Sequence, residues 1–180
     1  MNLYSDTDIK IAGDKPLDDI KKNQRTVTEA ISLDKNDIKK AREWGKKVAI
    51  KFMEDAEEFT EKDDASYYEM LTQRRMLLSF TATVGFEQFC SNDALAGIAQ
   101  ASFIDTIKNT DIEVYKTSED TGAFSFYYLA FRRGGEVERR IGQTFAMLCS
   151  HDGDPIYQEL GEALYCWFLS IVKKYAPETV

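Results

Sequence analysis

The groups most ready to do chemistry sit together in Cys149-Ser150-His151-Asp152-Gly153-Asp154-Pro155, where the only histidine lies beside a thiol, a hydroxyl and two carboxylates. Nucleophilic attack needs Cys149 or Ser150 within hydrogen-bond reach of His151, and adjacent side chains diverge, so a thiol from elsewhere, Cys90 or Cys166, would have to approach. A His-Asp metal phosphohydrolase or an imidazole-rich zinc site needs several histidines, and the three cysteines form no Cys-x-x-Cys pair. An EF-hand beginning at Asp152 would need a bidentate carboxylate where Ala163 stands. The segment therefore reads first as a connector. Gly153 accepts positive φ, Asp154 is a good N-cap, and Pro155 suits a first helical position. No catalytic residue, metal ligand or cofactor is assigned.

Arginine pairs stand at Arg74-Arg75, Arg132-Arg133 and Arg139-Arg140. In an acidic chain most such residues pair with nearby carboxylates. Arg75, at the border of an apolar run, is the exception to test as an anchor for a carboxylate or phosphate. Tyr68, Tyr127 and His151 complete a candidate ligand-binding set in a pocket between aromatic-rich helices, although ordinary core is the commoner fate of such aromatic groups. The run Arg132-Arg133-Gly134-Gly135-Glu136 lacks the Walker pattern and reads as a helix stop, although helix N-termini flanked by arginine bind anions. Glu54, Glu57, Glu58 and Glu61 have a spacing suited to magnesium, so magnesium-dependent nucleotide hydrolysis is a third, weaker reading. The following helix offers only Glu69 and Glu87 to complete such a site, and a solvated helix end is the commoner fate of such a cluster.

What must position these residues is helical. Ile38, Ala41, Gly45, Val48, Phe52, Ala56 and Phe59 recur at steps of three and four, which predicts an amphipathic helix from Asp34 to about Glu61. The next helix is apolar on all sides after Arg75, so residues 76 to 90 belong at the centre. Small residues in "SNDALAGIAQASF" predict a third helix that lets a neighbour approach closely. A connector is expected around "TDIEVYK". "FSFYYLAF" is ambiguous between strand and helix, and its capping neighbours favour helix. Another helix follows Glu136, and the last one turns Ile156, Leu160, Ala163, Leu164, Trp167, Phe168 and Ile171 inward. Residues 1–13 read as a flexible arm before a single domain over 14–180, whose first helix carries Leu17, Ile20, Val27 and Ile31. The sum is an all-α, single-domain bundle of about seven helices. Resemblance between Cys90-Ser91-Asn92-Asp93 and Cys149-Ser150-His151-Asp152, with Tyr67-Tyr68 and Tyr127-Tyr128 upstream, leaves a duplicated helical pair open.

Composition narrows the function. A hydrophobic share of 43% furnishes a core for 180 residues, while a net charge of -8 opposes nucleic-acid binding through phosphate repulsion. No uncharged apolar stretch reaches the roughly 18 residues that span a bilayer. Cys90, Cys149 and Cys166, an odd number in apolar segments, are expected as free, buried thiols in a reducing compartment, which points to the cytoplasm. The function expected first is a non-enzymatic helical domain that binds a protein partner or itself. An anionic small-molecule binder or enzyme using Arg75, Tyr68, Tyr127 and His151 is the alternative.

Overall fold

A helix without a polar side has to be enclosed by others, and the computed structural model encloses it. Residues 33–58, 65–118 and 121–177 are described, and they are all-helical in their regular structure. Among the described residues seven helices follow in chain order: α1 (Lys35–Glu58), α2 (Ala65–Phe89), α3 (Asp93–Thr110), α4 (Ile112–Ser118), α5 (Thr121–Arg132), α6 (Val137–Leu148) and α7 (Pro155–Tyr175). α2 touches each of the other six. Its stretch from Met76 to Phe86 is buried except for Thr83, as its all-round apolar character requires. The expected arm over residues 1–13 and the helical pattern from Leu17 to Ile31 lie outside the described residues. α4 stands where a connector was expected. Asp111 starts it by accepting from the N–H groups of Glu113 and Val114, at 2.8 and 3.1 Å.

Two aromatic clusters join the helices. Trp44, Phe52, Phe86, Phe103 and Phe168 meet edge to face where α1, α2, α3 and α7 converge, and Trp44 Nε1 donates to the Val172 carbonyl at 2.9 Å. Around Phe80 of α2 gather Phe124, Tyr127 and Phe131, all from α5. Those three lie at helical spacing, which resolves "FSFYYLAF" as helix: one side of α5 grips Phe80 while Phe126 and Leu129 face outward.

Glycine sets the closest helix contacts. A Cβ on Gly45 would fall 2.1 Å from the Ala99 carbonyl oxygen, so α1 and α3 approach backbone to backbone, as the small residues of α3 led one to expect. α6 and α7 meet in the same way. A Cβ on Gly142 would lie 2.3 Å from the Gln158 carbonyl oxygen, and one on Gly161 2.6 Å from Phe145 Cβ. This second contact corrects the expected inward face of α7. The buried residues are Gly161, Leu164, Tyr165, Phe168 and Val172, whereas Ile156, Ala163 and Trp167 are exposed. Close docking on Gly161 rotates the helix towards its glycine rather than its largest apolar groups. The same rotation exposes Cys166, while Cys90 and Cys149 are buried; all three thiols are free.

The two resembling segments do not trace the same helices. Residues 65–89 form one unbroken helix, whereas the later stretch is divided into α5 and α6 by Gly134 and Gly135, both at positive φ. No helix among the described residues is long and apolar enough to cross a membrane.

Candidate functional site

The turn from Cys149 to Pro155 is built as a helix stop and restart. The His151 N–H donates to the Ala146 carbonyl at 2.8 Å and the Ser150 N–H to Met147 at 3.1 Å, with Ser150 at φ 61°. That pairing is a Schellman closure of α6 with serine in the left-handed position. Ser150 Oγ meanwhile donates to Glu69 Oε1 of α2 at 3.2 Å. Asp154 then accepts from the Ile156 N–H at 2.9 Å, capping α7, with Pro155 next and Gly153 at φ 80°. Asn92 caps α3 directly, so His151 does not share the role of its counterpart. Its ring stacks on Tyr157 with centroids 3.8 Å apart, and its Nδ1 lies 4.0 Å from Asp154 Oδ2.

The four candidate ligand residues have separate surroundings. Arg75 donates to Thr117 Oγ1 of α4 at 3.2 Å. Tyr68 is 61% exposed on α2. Tyr127 is fully buried against Phe80, and its hydroxyl has no hydrogen-bond partner. His151 sits on Tyr157. No ring contact or hydrogen bond joins any two of the four. Among the described residues, no three His, Cys, Asp or Glu side chains assemble a metal-ligand set; Glu57, Glu58 and Glu61 lie outside the described side chains.

The thiol beside this turn is held protonated. Burial first, and the Glu69 carboxylate second, push Cys149 up to about 12 from an ordinary 9.0. Burial, with Cys149 next, also raises Tyr127 well above its ordinary 10.0. Both groups therefore keep their protons in the fold at pH values where the unfolded chain loses them. The stability they contribute is complete below the unfolded values and is lost as pH rises towards the folded ones. The melting temperature is expected to hold up to about pH 9 and then decline, less steeply for Tyr127→Phe. An equal decline in both proteins, followed by differential scanning fluorimetry, contradicts this assignment.

A different place has the character of a binding site. A cleft of about 370 Å³ opens between α5 and α6, lined by Phe126, Leu129, Arg133, Arg140, Met147 and Asp152, among others. Phe126, Leu129 and Met147 are 49%, 57% and 40% exposed, a concentration of apolar surface on one face. The Gly134-Gly135 turn shapes the basic side. An ideal Cβ on Gly135 would lie 3.4 Å from Arg140 Nη2, so the bare glycine leaves room for the guanidinium to lie over the turn. Arg140 Nη1 is buried without a hydrogen-bond partner, and neither Arg133 nor Arg140 has an ion-pair partner among the described residues. α6 starts at Glu136 without a side-chain cap hydrogen bond. Glu136 instead pairs with exposed Arg139 at 3.3 Å.

Two further clefts have only part of these features, the first an exposed Trp167 beside Lys174. In one, of about 330 Å³, Lys51 is paired with Glu54, and Asp55 with Arg74. The other, of about 380 Å³ beside Arg42 and Lys46, has no exposed large apolar residue in its lining. The signal for the α5–α6 cleft was present in the arginines flanking Gly134-Gly135. Spacing alone did not say which of the arginines would find carboxylates. The chain matches no protein-family model, no curated protein and no solved structure.

Proposed function

We propose that the chain is a non-catalytic binding domain that docks a protein partner on the α5–α6 face. One observation carries this reading: exposed Phe126, Leu129 and Met147 share a cleft with two arginines that form no ion pair among the described residues. Apolar anchors beside unpaired arginine are the ingredients of an interface centre, where Arg and aromatic groups contribute most. The groups best suited to catalysis are meanwhile occupied, His151 against Tyr157 and Cys149 as a buried neutral thiol.

The test compares capture by the wild-type chain and by Phe126→Asp/Leu129→Asp in lysate of the source cells, with Ile156→Asp as an exposed apolar control. A partner held by the wild type and by the control, but lost by the double variant, supports the reading. A partner that binds all three alike overturns it. Should the captured protein prove to be a second copy, sedimentation of the purified chain will show a dimer that the double variant cannot form.

A further inference from the structure

Resting on that docking face, we propose that Arg133 and Arg140 form a subsite for a single carboxylate, so that the partner presents an acidic residue flanked by apolar ones. The half-buried Arg140 side chain lines the cleft with its guanidinium against the Gly134-Gly135 turn, and no carboxylate among the described residues pairs with it. A planar guanidinium matches a carboxylate through parallel N–H bonds. Arg133 adds a second cation from the opposite side of the turn, and Gln143 and Thr144, also in the lining, supply further polar groups.

Charge selects the class of anion. Arg133 and Arg140 against Asp152 leave the cleft one positive charge in excess, which a monoanion neutralises and a doubly charged phosphate overshoots beside Asp152. The apolar walls, Phe126, Leu129 and Met147, favour hydrocarbon next to that carboxylate rather than a bare ion. A polyanionic nucleic acid suits neither the cleft nor a chain of net charge -8.

Phenylbutyrate, which joins one carboxylate to a short apolar body, is the probe, with phenylbutyramide and inorganic phosphate beside it. The 180-residue chain is titrated with each to about 10 mM, the range expected of so small a ligand. Methyl resonances of Leu129, Thr144 and Met147 give the readout. The expected result is saturable shifts with phenylbutyrate, at least about tenfold weaker binding of phenylbutyramide and phosphate, and a similar loss in Arg140→Gln. Arg75→Gln, outside the cleft lining and bonded to Thr117, retains wild-type binding. Arg133 is exposed, so Arg133→Gln carries the same expectation in a folded protein should Arg140→Gln unfold.

Equal binding of acid and amide overturns the subsite while leaving the docking face standing. Tighter binding of phosphate, or no shift with any probe, overturns it as well. The docking face falls separately, if partner capture ignores Phe126 and Leu129.

Discussion

Gly45→Ala will destabilise the protein by about 2 kcal/mol, even though alanine is the better helix former. Position 45 is in the middle of α1, where replacing glycine ordinarily gains about 1 kcal/mol from reduced freedom of the unfolded chain. Here the added methyl would meet the Ala99 carbonyl oxygen at 2.1 Å and the Phe103 nitrogen at 3.0 Å. Both are backbone atoms of α3 and cannot swing aside as a side chain would. Separating α1 from α3 would loosen Trp44, Phe52 and Phe103 at once, and overpacking of this kind costs about 3 kcal/mol. The clash wins over propensity. Gly97 supplies the internal control, because nothing lies within 4 Å of the Cβ it would carry. Gly97→Ala should raise the melting temperature by about 2 °C while Gly45→Ala lowers it by about 5 °C. Two shifts of the same sign would mean that α1 and α3 do not meet as described.

Arg74→Met should cost about 3 kcal/mol, for a different reason. Arg74 Nε donates to Asp55 Oδ2 at 2.9 Å and Nη2 to the other carboxylate oxygen, binding α2 to α1 through both atoms. The two side chains are only 14% and 7% exposed. Removing the cation strands a carboxylate where water cannot solvate it, and that stranded charge is the larger part of the cost. Arg74→Met/Asp55→Leu removes both charges together and should return to within about 1 kcal/mol of the wild type in urea denaturation. A double variant as unstable as the sum of its single changes would show that the pair itself, rather than the avoidance of an unpaired charge, holds α1 on α2.

The all-helical architecture was legible because helical periodicity is a local signal. Residues 76 to 90 announced their central place by lacking a polar side, and Asp154-Pro155 announced the start of α7 by capping chemistry that involves neighbours only. Failures came where tertiary contact decides. α7 turns towards Gly161, which carries no hydrophobic weight in a periodicity count, because Gly161 admits Phe145. Tyr127, readable as pocket lining or as core, is core, stacked on Phe80 across a long separation in sequence. α4 was read as a connector because a short helix has too few residues to display a period.

The arginines illustrate the limit most clearly. All three pairs look alike in sequence, and the fold treats their members in five ways, Arg132 lying over the Tyr128 ring at 5.3 Å from its centroid. Arg74 is locked to buried Asp55, Arg75 reaches Thr117, Arg139 pairs with Glu136 on the surface, and Arg133 and Arg140 form no ion pair among the described residues. Only the last arrangement suits the proposed docking, and it depends on a turn between helices whose mutual approach no local pattern encodes.

Amide hydrogen exchange on the chain with and without its captured partner tests that conclusion most directly. Slowed exchange concentrated on Phe126–Arg133 and Arg140–Met147, with α1 and α3 unchanged, is the predicted result. Protection confined to α1 and α3, with those two segments exchanging as before, would place the partner elsewhere and contradict the account.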